Sequence, residues 1–260
     1  MPEGARLLRQ LRPSVCGLAL LAATPATAGV FSPQPPLGLY EARTILTGTD
    51  TRSRPAGLAI CLEDVLVKVS GDGALRGDAR VAALDPGALL ADFSYVDRFS
   101  GIPHHDDQGS SDRPFYFTAR FDRDRIDAQL RSLGDAPYTG PRPTLAPVVV
   151  VQTARATYVL TSDGPHAAGQ RQAMAEAGDR LGLPLHLPTT AELADGKALA
   201  GTLPLTGTLA WSDAAHGWVG DWSMPYHEAP HAWHTAGGSY DAAFRAAVQG
   251  ALGVVAGHAP

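Results

Sequence analysis

Residues 53–72 read SRPAGLAICLEDVLVKVSGD. Leu58, Cys61, Leu62, Val65, Leu66 and Val69 fall at i, i+3, i+4, i+7, i+8 and i+11, the spacing of a helix that buries one face. Ser53 is suited to cap its start, Pro55 is tolerated in the first turn, and Gly71 can take the left-handed stop. Glu63, Asp64 and Lys68 fall off the stripe and are assigned to the wet side, with Asp64 and Lys68 four apart as a weak supporting pair. Packing rather than propensity must hold such a helix, so it is expected to be the packing centre of the first half of the chain. It carries no chemistry of its own.

Outward from it, Leu39 to Leu46 alternates as a strand. Ala79 to Asp92 reads as a short helical passage broken at Asp85-Pro86-Gly87, followed by a strand with Phe93, Tyr95, Asp97 and Phe99 on one side. Gly101 to Pro114 is polar and rich in Gly, Ser and Asp, the tip of a long hairpin. Phe115, Phe117, Ala119 and Phe121 then give the clearest strand signature, and Asp122 or Asp124 can cap a helix running to Leu133.

Beyond a Gly- and Pro-rich hinge at Tyr138 to Pro143, Val148 to Val151 is an unbroken β-branched run, the mark of a strand covered on both faces. A strand at Tyr158 to Leu160, a helix from His166 to Leu181 and a strand at Leu183 to Leu187 suggest a right-handed crossover and a parallel pair. Thr189 or Thr190 caps a short helix towards Leu199. Leu203 to Trp211 and Trp218 to Ser223 form a hairpin across Ser212 to Gly217, Met224 to Gly238 reads as a loop, and a helix over Ser239 to Val255 closes the chain. The fold class is therefore α/β (α+β), with two mixed-sheet units at residues 29–137 and 138–260, each roughly strand, helix, strand pair and closing helix.

The first residues read as an export signal. Arg6, Arg9 and Arg12 precede the apolar run Val15 to Ala23, and Ala26-Thr27-Ala28 fits the small-residue cleavage rule. Residues 1–28 are expected to be removed and the mature chain to be periplasmic. No other stretch approaches the ~20 continuous apolar residues of a transmembrane helix. Losing three arginines and Glu3 moves the formal charge from -5 to roughly -7, and the chain has no Lys/Arg run, so nucleic acid is an unsuitable partner. Cys61 is then the sole cysteine, which leaves no intramolecular disulfide and reads as a small buried hydrophobe.

Three clusters carry candidate chemistry. His227-Glu228-Ala229-Pro230-His231 is formally H-E-x-x-H, with His234 three residues on. In zinc hydrolases that spacing works because a helix puts both histidines on one face while the glutamate activates the metal-bound water. Pro225 and Pro230 oppose a helix here, so the segment reads first as a solvated loop with no metal and no cofactor, and weak zinc or copper binding by His227, His231 and His234 in that loop is the alternative. His104 and His105, followed by two aspartates, are a second candidate ligand pair. Trp211, Trp218, Trp222 and Trp233 crowd one region, and are read either as packing under a helix or as a binding surface. No Gly-x-Ser-x-Gly elbow or Gly-rich phosphate cradle occurs.

Several stretches together resemble the proteobacterial family catalogued as domain of unknown function 2066. They are Arg54-Pro55-Ala56-Gly57-Leu58-Ala59 leading to Val65 through Asp72, Arg120-Phe121-Asp122 with Leu130, Arg142-Pro143, Leu181-Gly182-Leu183-Pro184-Leu185 with Leu187-Pro188, and the Trp218 and Trp222 hairpin. The resemblance implies an exported protein and brings no catalytic residues or cofactor. The resulting expectation is a non-enzymatic binding or assembly factor of the envelope whose partner is an envelope protein or the cell-wall surface. The alternative is a metal-binding protein or zinc-dependent hydrolase built on His227 to His234. A third possibility is a small-molecule site at the carboxyl ends of the Val148 and Leu183 strands.

Overall fold

The computed structural model describes residues 34–100, 113–165, 167–196 and 199–260. The proposed signal at residues 1–28 and the histidines His104 and His105 lie outside the described residues. After β1 (Glu41–Thr47) comes α1 (Arg54–Ser70), the helix of the opening stretch. Gly71 stops it at φ 83°, donating its N–H to the Val67 carbonyl at 2.8 Å. Ser53 precedes it without capping, since its hydroxyl donates to the Asp50 carbonyl instead.

A single 3₁₀ turn at Gly73–Leu75 and two one-turn helices, α2 (Ala79–Ala82) and α3 (Pro86–Leu89), lead to β2 (Leu90–Asp97). Asp78 and Asp85 start those turns by accepting backbone N–H bonds from Arg80 and Gly87. Next come β3 (Pro114–Phe121) and α4 (Arg123–Leu133), the latter capped by Asp122 as its sequence predicts. The first sheet has the order β1-β3-β2 and is antiparallel throughout, so mixed pairing is confined to the second sheet. Its inner face, with Ala42, Leu46, Phe117, Ala119 and Phe121 buried, packs on α1.

The second half comprises β4 (Thr144–Gln152), β5 (Thr157–Val159), α5 (Ala168–Leu181), α6 (Thr190–Ala194), β6 (Thr202–Ser212), β7 (Gly217–Tyr226), β8 (Ala229–Gly237) and α7 (Tyr240–Ala256). The sheet order is β5-β4-β6-β7-β8, with β4 and β6 parallel and every other pair antiparallel. Leu183 to Leu187 pairs with β4 in parallel only through one bridge, Leu145 to Leu185, because Pro184 and Pro188 deny it the donors a ladder needs. The full parallel ladder of β4 is made on its other edge, with β6.

The layers follow from these contacts. α1 lies on the first sheet and touches α5, α5 packs on α7, and α7 packs on β7 and β8. Two helical layers thus separate the two sheets, and the buried apolar residues of both halves form one cluster. No described helix is long and apolar enough to cross a membrane.

This arrangement overturns the wet side assigned to α1. Asp64 and Lys68 are 1% and 0% exposed, because the second helical layer covers the face that an isolated amphipathic helix would leave to water. They do not pair with each other across one turn. Asp64 accepts from Arg76 and from Arg180, both at 2.9 Å. The Lys68 ammonium donates to the carbonyls of Gly38 at 3.1 Å and Glu41 at 2.8 Å. Burial pushes the Lys68 pKa down to about 8, with Asp179, Asp64 and Glu41 opposing that shift and Arg142 adding to it.

Removing the carboxylate of Asp64 strands two guanidinium groups, so Asp64→Ala should lower unfolding free energy by about 3 kcal/mol in denaturant titrations. For Lys68 the folded pKa lies below the ordinary lysine value, so the charged amine destabilises the fold. That cost is fully present below pH 8 and fades as pH rises towards 10.5. Stability should therefore climb over that window by about 3 kcal/mol relative to Lys68→Met, which lacks the titrating group. Parallel pH profiles for the two proteins would refute this.

Candidate functional site

The indole-rich end of the second sheet is built by cross-strand register. Trp211 on β6 stands directly opposite Trp218 on β7, and Trp222 on β7 opposite Trp233 on β8. Directly opposed residues share a sheet face, and this is the face on which α7 packs. Trp222 is 2% exposed, donates its indole N–H to Thr235 at 2.8 Å and meets Phe244 of α7 edge-on. It lies across Gly207, where any Cβ would collide with its ring. Trp233 is half-buried against Gly250 of α7, its N–H without a partner among the described residues. Three of the four tryptophans therefore serve largely as packing under α7.

Trp211 is different, with 46% of its surface exposed. Its ring stands edge-to-face on Trp218 at 5.9 Å between centroids, and Trp218 stands on Tyr240 at 6.3 Å. Its indole N–H donates to the Asp213 carboxylate at 2.8 Å. Asp213 lies in the β6–β7 turn, which the Ser212 hydroxyl closes by accepting from the Ala215 N–H, while His216 ends it at φ 48°. The result is an exposed indole locked in one orientation by a hydrogen bond and an aromatic row.

The segment Met224 to Gly238, expected as a loop, is instead the end of β7, a tight turn and β8. His227 and Glu228 form the turn, both in the left-handed region at φ 47° and 64°. That pair of angles is a type I′ hairpin turn, which sequence analysis missed because Asn-Gly, not His-Glu, is its usual signal. Pro225 and Pro230 face each other next to the closing pair Tyr226–Ala229, at a non-hydrogen-bonded position where neither ring removes a ladder bond.

Strand geometry separates the candidate ligands. His231 shares the α7 side of β8 with Trp233 and Thr235, whereas His234 points to the opposite, open face and meets Asp221 at 2.9 Å. His227 is in the turn, its ring against Tyr226. The helix that H-E-x-x-H chemistry requires is not formed here, and His227, His231 and His234 do not converge. Among the described residues no group of three or more His, Cys, Asp or Glu side chains could hold a metal ion.

A groove of about 250 Å³ lies beneath α6, against the N-terminal halves of β4 and β6, lined chiefly by Ala146, Val148, Pro188, Leu193, Leu199 and Pro204. Its carboxylate, Glu192, is occupied by the capping box with Thr189 and by His186 at 3.1 Å. The Thr189 N–H holds that carboxyl below its ordinary pKa. The groove is therefore apolar without a disengaged polar group, and it is not at the strands' carboxyl ends, where ligands of parallel sheets gather.

Residues 36–138 match the family described as Domain of unknown function (DUF8605), a span running from the lead-in to β1 through α4. No curated protein and no solved structure matches the chain. The family match corrects the resemblance to domain of unknown function 2066. Several residues carrying that resemblance have local structural reasons. Gly57 lets α1 approach Leu46, while Gly71 and Gly182 stop helices in the left-handed region.

The strained turn gives a direct check of the hairpin. His227→Asn with Glu228→Gly should raise stability by about 0.5–1 kcal/mol by relieving two positive-φ side chains. A loss of stability on thermal melting would contradict the type I′ assignment.

Proposed function

We propose that the protein is a non-enzymatic binding factor of the cell envelope, and that it makes contact through the Trp211 end of the β6–β7 hairpin. One observation carries the reading: a large aromatic side chain is left half in water yet is held rigid by Asp213 and Trp218. A pre-oriented aromatic loses little freedom when a partner covers it. Arg6, Arg9, Arg12, the apolar run after them and Ala26-Thr27-Ala28 support placing that partner outside the cytoplasm. The acidic formal charge supports a partner other than nucleic acid.

Co-sedimentation with isolated cell envelopes tests the proposal. The purified protein should pellet with envelopes, and Trp211→Ala should shift it to the supernatant while remaining folded, its stability lower by about 1–2 kcal/mol for the lost hydrogen bond and edge contact. Equal pelleting of the two proteins, or no pelleting of the wild type, would reject it.

A further inference from the structure

We infer that the outer edge of β8 pairs, antiparallel and centred on His234, with the same edge of a second copy of the chain, joining two five-stranded sheets into one. The inference is independent of the Trp211 surface and is carried by where the β8 backbone groups point and by the side chains beside them.

β8 is the last strand of its sheet. Its ladder with β7 runs without a register shift from Tyr226–Ala229 to Trp218–Gly237, and the two-residue turn makes Tyr226–Ala229 a hydrogen-bonded pair. Bonded and non-bonded pairs alternate from there, so Ala232, His234 and Ala236 turn their N–H and C=O groups away from β7. Those groups have no hydrogen-bond partner among the described residues, and all three side chains are exposed.

Exposed edges are ordinarily blunted by short strands or by charge. β5, the opposite edge of the same sheet, is only three residues long. In the first sheet, edge strand β1 carries Glu41 and Arg43, with the Glu41 carbonyl taken by Lys68, and edge strand β2 carries Asp92 and Asp97. β8 is the longest of these edges, at nine residues, and holds no Asp, Glu, Lys or Arg.

Symmetry selects the occupant. With two copies antiparallel about His234, Ala232 of each stands opposite Ala236 of the other and His234 opposite its own counterpart, so every outward N–H and carbonyl of the three residues is satisfied. A shift of two residues one way sets Ala236 against Pro230, which has no N–H, and the other way carries Ala232 past the end of the strand. Alanine faces alanine, and the His234 ring, 2.9 Å from Asp221, stands between that carboxylate and the two-fold axis. A foreign peptide would find two alanines and a histidine, with no charged or bulky apolar group to read its sequence. α7 packs on β7 and β8 together, so a two-fold axis normal to the sheet sets the two α7 helices about 10 Å apart, a distance at which helices pack.

Sedimentation equilibrium and light scattering on the full chain test the pairing. The wild type should self-associate to twice the chain mass. His234→Lys places two ammonium groups opposite each other, and Ala232→Pro removes an outward N–H from each copy while sparing the bonds to β7; each should weaken the dimer at least about tenfold and leave the far-ultraviolet circular dichroism unchanged. Val159→Lys, on the opposite edge of the sheet, should leave the dimer intact. A wild type that stays monomeric up to about 100 µM would overturn the inference, because even a small edge contact is populated at such concentrations. A dimer that survives both β8 substitutions, or one that Val159→Lys dissociates, would overturn it equally.

Discussion

The carboxylate of Asp64, sealed on α1 between the guanidinium groups of Arg76 and Arg180, is the constraint on which the rest of the molecule depends. A buried carboxylate is tolerable only when paired and hydrogen-bonded, and both partners come from outside α1. Arg76 follows the 3₁₀ turn, where it also reaches Glu63 and Gln249 of α7, and Arg180 closes the last turn of α5. One charge therefore sets the position of three separate elements. One turn further along α1, Lys68 ties down the lead-in to β1 through two carbonyls, and Arg142 donates to the Lys68 and Leu181 carbonyls. Apolar stripes alone would tolerate sliding of one helix on another. These directional bonds add register to that packing.

From that frame the aromatic end of the second sheet follows. α5 and α7 are packed together, and α7 covers β7 and β8, so Trp222 and Trp233 must fit beneath it. Glycines at Gly207 and Gly250 make the room, because a Cβ at either position would strike an indole. The packing that buries these two rings stops short of the β6–β7 turn, and Trp211 is the aromatic it leaves in water. The proposed contact surface is thus the rim of a core, positioned by strands rather than by a mobile loop. Rigid placement of this kind is what a binding group needs in order to contact its ligand without a large ordering cost.

Much of the element list was legible in residue order because the signals were local. The stripe and glycine stop of α1, the alternation of β3, the Asp122 cap of α4 and the Thr189 capping box all depend on neighbours within a few residues. The candidate site was legible only in part. The tryptophan cluster stood out by composition, but which ring is exposed depends on where α7 begins to cover the sheet, and that is a long-range fact. The histidines were misread as a loop because a type I′ turn of His-Glu has no sequence signal, and once β8 forms its alternation sends His231 and His234 to opposite faces. Short glycine and proline patterns also proved poor guides to kinship, since caps and close approaches recur in unrelated chains.

By itself, the sequence determined an α/β chain with α1 as an apolar centre, the positions of most caps, and an acidic composition. Tertiary structure alone decided that α1 is buried on its second face, that β6 rather than Leu183 to Leu187 makes the parallel ladder with β4, and that Trp211 is the tryptophan left at the surface. The physical reason is the range of the forces involved. Caps, turns and periodicity are settled within one or two turns of backbone. Burial of a charge or exposure of a ring is settled by whatever distant element arrives to cover it.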